Sequence, residues 1–540
     1  MKLKGQISFL SVLIIAVSLL TGGCFKVGPD FRSPPVSVST EWLEAADERV
    51  KKEPANYRSW WETFEDQGLS SVIERAYREN LSLKIAAVKV LEARAQLGVA
   101  VGNLYPQTQQ LQGAVTFNRL SSQSPSSLAT VAAVGGSGQT GAASSFSNTY
   151  WQDQANLNVA WELDFWGKYR RAIESADNTL RSSVADYDSA LVSLTADAAN
   201  SYIQIRTLEK RLQIARDNLE SQGESVKIAE ARFIGGTTSE RDVEQARTIY
   251  FNTQATIPVF EAQLRQNKDA LCVLIGIPPS ELSDFLNESG GIPVPPPSVG
   301  VGIPTDLLRR RPDVRSAELQ AAAQCAQIGV AKADLYPAFS LTGSFGYLST
   351  DFGTSRLADI FKANSAMIAA GPSVSWNIFN YGKITNNARV QDARFQELLL
   401  TYQNTVLQAQ QEVEDYLAAF LRYQENAESL ARSAAAAKHS LELATIQYTH
   451  GSTDFTTVLT AQQSLLVSQD SLAVSIGNIA LNLVGVYRAL GGGWEIRLGE
   501  EILPPKIKEM MAKRTNWGDL LSPASYMPTN CPSEIRAPDW

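Results

Sequence analysis

This 540-residue sequence predicts a membrane protein of mixed α and β class, and three observations carry that prediction. Short segments alternate apolar and polar side chains with the period of a strand. Long segments without proline repeat apolar side chains every three or four residues. Both patterns occur twice, in the same order. Beyond residue 24 no continuous apolar stretch reads as a bilayer-crossing helix, so a chain that spans lipid must do so as a closed barrel with no strand edge left open to hydrocarbon.

At the amino terminus, Lys2 and Lys4 precede an apolar run from Ile7 to Leu20, closed by Thr21, Gly22, Gly23 and Cys24. This order predicts a signal peptide over residues 1–23. Small residues before a thiol resemble a bacterial lipobox, in which Cys24 is lipidated and becomes the first mature residue, although Thr21 stands where lipoboxes usually carry Leu. Phe25, in place of the Asp that resembles an inner-membrane retention signal, directs the chain to the outer membrane. A lipidated amino-terminal segment, 24–67, follows.

The strand pattern is clearest where Ala155, Leu157, Val159, Trp161, Leu163 and Phe165 alternate with Gln154, Asn156, Asn158, Ala160, Glu162 and Asp164. Phe339, Leu341, Gly343, Phe345 and Tyr347 alternate in the same way with polar or small residues. Weaker alternation runs through Leu111, Val115 and Phe117, and through Val374, Trp376 and Ile378. Four strands are therefore expected, at 107–120, 150–165, 338–350 and 367–380.

Leu104-Tyr105-Pro106 returns as Leu335-Tyr336-Pro337, an offset of 231, and each proline ends a helical pattern. Trp161 matches Trp376, Gly167-Lys168 matches Gly382-Lys383, Gly236 matches Gly451, Val243 matches Val458 and Gly276 matches Gly491, all at an offset of 215. Two copies of one unit are expected, 68–289 and 304–495, joined by a Pro- and Gly-rich linker at 290–303 and followed by a polar extension, 496–540, of opaque role. The first offset exceeds the second by 16, and that surplus is assigned to the Ser-, Gly- and Ala-rich stretch 121–147, a strand-to-strand loop.

After Gly167 the chain runs without proline to Ile234, and Tyr187, Leu191, Leu194, Ala198, Tyr202, Ile205, Leu208 and Leu212 recur at coiled-coil spacing. A helix of that length reaches roughly 100 Å. A second rod is expected from Lys383 to His450. Each turns at a Gly-rich corner into a return helix, giving helical hairpins at 168–276 and 383–490, and Pro258 predicts a local kink in the first return helix. Four strands cannot close a barrel, whose smallest membrane form has about eight. Three copies of the chain would supply twelve, with the rods continuing the wall as a hollow coiled-coil cylinder.

These residues resemble the TolC-like outer-membrane efflux proteins, in the lipoprotein branch that serves resistance-nodulation-division pumps. The resemblance covers nearly all of residues 24–495. Val27-Gly28-Pro29-Asp30-Phe31 is similar to the family's mature start, Trp161-Glu162-Leu163-Asp164-Phe165-Trp166-Gly167-Lys168 to its strand-to-helix signature, and Leu308-Arg309-Arg310-Arg311-Pro312-Asp313-Val314 to the opening of its second repeat. The resemblance implies a homotrimer with a twelve-stranded barrel in the outer membrane of a Gram-negative bacterium and a long helical tunnel through the periplasm. It also implies docking on a periplasmic adaptor (membrane fusion) protein fed by an inner-membrane resistance-nodulation-division pump. The implied function is a passive exit duct for small molecules such as drugs. A type I protein-secretion duct of the same architecture and a lipoprotein coiled-coil spacer without a pore are the alternatives.

The two helix corners hold the candidate sites. The segments from Arg232 to Ser239 and from Tyr448 to Phe455 resemble the family's adaptor-contacting tips, which implicates Gly235, Gly236, Thr237, Thr238, Ser239, Gly451, Ser452 and Thr453. Glycine suits a helix that reverses through left-handed angles, and Ser and Thr suit the caps of the helices that follow. Related channels carry a ring of carboxylates nine residues after the second-copy glycine, but here that place is Thr460 and the place six after it is Thr457. The candidate aperture ring is therefore Asp454, Thr457 and Thr460, with a helix N-cap as the local alternative for Asp454.

The remaining composition argues by exclusion. A net charge of −8 excludes a chain-long phosphate-binding surface, so nucleic acid is not expected as a partner. Two His and four Cys leave almost nothing for a metal centre, and His439 and His450 read as hydrogen-bonding residues on one helix. Cys272 and Cys325 are expected to pack as buried side chains, while Cys531 stays undecided. Trp151, Trp161 and Trp376 suit an interfacial aromatic girdle, or, for the last two, packing at the helix junction. Five scattered Met favour organic substrates over soft metals. No nucleophile-base set or phosphate loop is present, so neither enzymatic activity nor a cofactor is expected.

Overall fold

The computed structural model describes residues 26–53, 56–119, 121, 149–282, 290–306, 310–351 and 356–522. Cys24, Cys531, Leu308, Arg309 and nearly all of the 121–147 stretch lie outside them. In chain order, β1 (Val50–Lys51) precedes α1 (Gln67–Glu79), α2 (Leu81–Gly102), β2 (Thr108–Arg119), β3 (Thr149–Leu163), the rod α3 (Lys168–Ile234) and its return helix α4 (Glu240–Leu274). Then come β4 (Val299–Gly300), α5 (Pro312–Ala333), β5 (Ala338–Thr350), β6 (Ala366–Ser375), the rod α6 (Lys383–Thr449), α7 (Phe455–Ala489) and α8 (Pro505–Arg514).

β2, β3, β5 and β6 form one antiparallel sheet in that order. Its register aligns Leu111, Leu157, Phe345 and Ile368 in a single row across all four strands. All four are exposed, between 44% and 79%. The adjacent row, pointing to the other face, is Gln110, Asn158, Ser344 and Ala369. Alternation along each strand thus becomes one greasy and one wet face of a sheet.

Four strands are not the whole supply. β1 and β4 pair in parallel as a separate two-stranded sheet, each too short to show a period in sequence. The fourth strand of the main sheet ends at Ser375 rather than near 380. β3 runs to Leu163 because β5 pairs along its far side, and β6 has no such partner among the described residues. Beyond Ser375 the Trp376 indole donates to the Leu335 carbonyl at 3.0 Å, and Trp161 makes the same bond to Leu104, also at 3.0 Å. Both tryptophans therefore pack at the helix junction, while Trp151 lies half exposed against Phe117 with ring centroids 5.2 Å apart.

With Trp161 matched to Trp376, the ladders match Thr108 to Ala338, at an offset of 230. One of the first copy's extra residues is therefore Gln107, immediately before β2, and not part of the loop. Its side chain accepts from the Glu162 amide at 2.7 Å and donates to the Asn103 carbonyl at 2.9 Å, replacing ladder contacts at the sheet's end. At this offset Leu111, Gly113, Val115 and Phe117 fall on Leu341, Gly343, Phe345 and Tyr347. The glycines paired at the offset of 215 all lie at left-handed φ: Gly167 and Gly382 at 75° and 81°, Gly236 and Gly451 at 71° and 73°, Gly276 and Gly491 at 72° and 71°.

Each rod is a 67-residue helix, about 100 Å long. α4 runs through Pro258 without ending. α7 corrects the expectation that no helix beyond residue 24 could cross a bilayer: its length and composition suffice. Most of that stretch is instead buried, against α3 and α6. The main core gathers Leu191, Tyr202 and Ile205 of α3 with Leu483 and Tyr487 of α7 and Phe420 of α6. At its centre Trp60 is fully buried, stacked on Tyr487 at 5.4 Å and edge-on to Trp61.

The stretch after residue 495 is no polar tail where it is described. Ile502, Leu503 and Met511 are buried in this core, and the buried Arg497 guanidinium grips Asp188 of α3 with two hydrogen bonds, Nη2 to Oδ2 at 2.8 Å. The amino-terminal segment is a strap in the other direction. Val27 donates to the Trp166 carbonyl, Gly28 lies so close to Gly329 that a Cβ would fall 2.5 Å from the Gly329 Cα, and buried Arg171 donates to the Val27 and Gly28 carbonyls and to Asp30. Farther on, Ser39 and Leu43 donate to Gln410 and Glu414, and Arg49 reaches Asp47, the Leu421 carbonyl and Glu425, so the strap descends along α6.

Two outcomes follow from these anchors. Removing one member of the Arg497–Asp188 pair leaves a buried charge, so Asp188→Ala is expected to cost about 3–5 kcal/mol. Thermal unfolding in detergent would show it, with the double replacement Asp188→Leu, Arg497→Met losing less. Hydrogen bonds from Arg171 hold the Asp30 carboxyl below its ordinary range, and those from Arg49 bring Asp47 down to about 2. Because both pKa values are depressed by folding, their stabilisation is complete above the unfolded value near 3.9 and is lost as pH falls through the folded one. Pepsin cleavage within 26–53, relative to an unfolded control, is expected to rise between pH 4 and pH 2.

Candidate functional site at the helix corners

Both corners close with the same backbone device. After α3, Gly236 donates to the Phe233 carbonyl and Thr237 to that of Arg232, each at 2.9 Å. After α6, Gly451 donates to Tyr448 at 3.0 Å and Ser452 to Gln447 at 2.8 Å. Gly235, at φ −71°, is still right-handed; the reversal belongs to Gly236. Gly235, Gly236, Thr237, Ser239, Gly451 and Ser452 are exposed, with Thr238 and Thr453 partly so.

The caps differ between the corners. At the first, the Asp242 carboxylate accepts from the Thr238 hydroxyl at 2.6 Å and the Ser239 amide at 3.5 Å, and the hydroxyl bond is the main cause that holds its pKa low. At the second, Asp454 is the N-cap of α7, accepting from the Thr457 amide at 3.3 Å and hydroxyl at 2.7 Å, while Thr453 donates to the Thr457 hydroxyl at 3.0 Å. The local reading of Asp454 therefore holds. Asp454, Thr457 and Thr460, spaced by three, share one exposed face of α7. With Ser440 of α6 and Ser464 they line a concavity of about 400 Å³. The structure thus brings all three aperture candidates to one polar hollow.

Arg232 and Tyr448 supply what the sequence motifs did not single out. The Arg232 guanidinium lies 4.0 Å from the Tyr448 ring centroid and donates to the Tyr448 and Thr449 carbonyls at 3.0 and 3.3 Å. This clasp ties the first corner to the second above a separate small core of Ala229, Val243, Ala246, Ala444, Phe455, Val458 and Leu459. Higher on the rods, Arg211 pairs bidentately with Asp470 at 2.7 and 3.0 Å, and Gln462 donates to Ser225 at 2.7 Å. Both contacts join α3 to α7. The signal available in sequence was only their long-range polarity, which carries no partner information.

Other singled-out residues take plain places. His439 is exposed, with Nδ1 3.5 Å from Glu442, and Cys272 and Cys325 are buried, as expected, and free.

The profile of the outer membrane efflux protein family matches residues 72–277 and 303–492. Nodulation protein T of Rhizobium leguminosarum bv. viciae is 31% identical over 449 residues, 83% of this chain and 86% of its own. The pyoverdine export outer membrane protein OpmQ of Pseudomonas aeruginosa is 30% identical over 490 residues, covering 90% of this chain and 98% of its own. The solved outer-membrane channel OprN superimposes with a TM-score of 0.77 at 29% identity, over 87% of this chain and 99% of that one. The resemblance carried by the sequence motifs is borne out, and with it the outer membrane as the site of action. The chain belongs to the outer membrane efflux protein family and is an exit channel, not an enzyme.

Proposed function

We propose that three copies of this chain share one twelve-stranded barrel and conduct small molecules passively from a periplasmic adaptor and a resistance-nodulation-division pump to the exterior. The observation that carries the reading is the four-stranded sheet, exposed and apolar on one face, polar on the other, and open at the β2 and β6 edges. In lipid, each unpaired backbone group on those edges costs several kcal/mol, and closure with further copies removes that cost. The apolar row beginning at Leu111 then meets lipid, and the row beginning at Gln110 lines a water-filled lumen. Two copies of one structural unit per chain, matched at three left-handed glycine pairs, would give the trimer an approximate sixfold wall.

Lipidation at Cys24 anchors the strap in the outer membrane, and the rods carry the lumen through the periplasm. The exposed corners at Gly235, Gly236, Thr237, Thr238, Ser239, Gly451, Ser452 and Thr453 offer the adaptor its contact. The hollow lined by Asp454, Thr457 and Thr460 narrows the tunnel, with a mostly hydroxyl rather than carboxylate lining. The pyoverdine export named for OpmQ supports small organic cargo.

Native mass in mild detergent tests the assembly: a species near three times the 58.8 kDa chain, corrected for signal removal and added lipid, is expected, and a stable monomer would sink the shared barrel. Asp454→Asn keeps a good N-cap while removing the charge. In planar bilayers it is expected to lower cation-over-anion permeability, and an unchanged reversal potential would take Asp454 out of the aperture.

A further inference from the structure

Where each rod leaves the sheet, the two repeats carry different charges. At the start of α3, the Lys168 ammonium lies 2.9 Å from Asp334 at the end of α5 and 3.9 Å from Glu162 at the end of β3. Tyr169 donates its hydroxyl to Glu162 at 3.1 Å, and Asp164 accepts from the Tyr169 and Arg170 amides at 3.0 Å and from the Arg170 side chain at 2.9 Å. Two cations, Lys168 and Arg170, are met there by three carboxylates. These groups border a cavity of about 60 Å³ that Ala338, Ser375 and Asn377 help to line. Glu162, Ala338 and Ser375 share the parity of Asn158, Ser344 and Ala369, so the cluster sits on the polar face of the sheet.

The second repeat keeps the lysine and drops its partners. At the offset of 215, Lys383 stands for Lys168, Asn377 for Glu162, Phe379 for Asp164 and Thr385 for Arg170; at 231, Asn103 stands for Asp334. Lys383 is exposed at the first position of α6, and its ammonium makes no ion pair among the described residues. A cation at a helix N-terminus opposes the helix dipole. In α3 the carboxylates around Lys168 offset that cost, whereas the start of α6 is closed by a neutral group, the Asn380 amide, which accepts from the Gly382 backbone at 3.1 Å. Local stability therefore gives no account of Lys383.

We propose that Lys383 is a charge-selective station for cargo, binding the carboxylate of an organic anion as it passes from the rods into the barrel. The inference rests on the shared-barrel reading and goes beyond it by naming a residue that sorts cargo by charge. Repeat equivalence puts the Lys383 ammonium where Lys168 lies in the first repeat, on the face that lines the lumen. The amides of Asn377 and of Asn103 from a neighbouring copy of the chain stand where the first repeat has carboxylates. An ammonium flanked by amide N–H donors suits a carboxylate, which only accepts. Glu162, the carboxylate that each cluster keeps nearest the lumen, is already engaged by Tyr169 and Lys168. Around the ring, three clusters with one carboxylate in excess alternate with three unpaired lysines.

Planar bilayers holding the protein extracted from outer membranes test the station, with a potassium chloride gradient and citrate as the probes. Citrate is expected to block the wild-type current. Lys383→Gln is expected to lose that block and to raise cation-over-anion permeability by at least about twofold, the effect of one unit charge roughly 10 Å from an ion in water. Lys383→Glu is expected to shift further the same way, and Lys383→Arg to behave as the wild type. Asn377→Glu, which rebuilds a carboxylate of the first repeat beside an intact lysine, is expected to reproduce Lys383→Gln. Thermal unfolding of Lys383→Gln in detergent is expected at or above the wild-type midpoint; a lower midpoint would make Lys383 structural and overturn the station. Conducting Lys383→Gln trimers with unchanged selectivity and citrate block overturn it too, and leave the exit channel standing. Lys383→Arg with the selectivity of Lys383→Gln does the same. A monomer by native mass overturns the shared barrel itself.

Discussion

Backbone polarity at the two edges of a four-stranded sheet is the constraint from which the remaining architecture follows. A strand can satisfy its outer row of amides and carbonyls with water, with another strand or not at all, and hydrocarbon removes the first choice. In the proposed barrel the exposed row of Leu111, Leu157, Phe345 and Ile368 faces lipid, and the edges then need strands beyond those of the described residues. In the trimer proposed above, the sheet of one chain is one third of a closed barrel. The same incompleteness extends below the sheet, where α2 and α6 each leave apolar side chains uncovered on the flank that continues an open strand edge.

Around the middle of the rods the chain is bound to itself. The strap from residue 26 to 53, the β1–β4 pair, the buried tryptophans and the stretch from Trp494 to Leu521 meet on the faces of α3, α6 and α7. A belt that grips helices from both halves fixes their spacing at one level. Below it, the contacts joining α3 to α7 become polar, Arg211 with Asp470, Asn218 with Gln469 and Gln462 with Ser225, and at the corner Arg232 of α3 lies on Tyr448 of α6. Apolar packing dominates the belt, and at the corners a small apolar core is joined by the directional bonds of Arg232 to the Tyr448 and Thr449 carbonyls.

Strong periodicity made much of this legible from residues alone. Six alternating positions disclosed β3, an unbroken heptad-like seam disclosed α3, and three glycine pairs at one offset disclosed the corners that the structure places at left-handed φ. Asp454 was readable as a cap because the cap is local. Features set by pairing rather than by pattern were not readable. Gln107 is an ordinary polar residue until the ladders show one residue too many, and the early end of β6 goes with the lack of a partner on its far side among the described residues. β1 and β4 have two residues each, below any detectable period. Arg232 stood inside a recognised motif, yet its partner lies 216 residues away.

In the proposed barrel the strand register would also decide how the wall stands in the bilayer. Hydrogen-bonded pairing leads from Leu111 through Leu157 to Phe345, but the counterpart of Leu111 in the second half is Leu341, four residues earlier. Four residues are about 14 Å along a strand, and two strand spacings are about 10 Å across it, so strands turning about a common axis would slant by roughly 55°. That is steeper than the 35–45° usual for barrels. A strand of 12 residues such as β2, about 40 Å along its own length, then rises only about 23 Å, close to the 25 Å apolar band of an outer membrane. In the proposed barrel, strand length and slant together would match the wall to the thickness of its membrane.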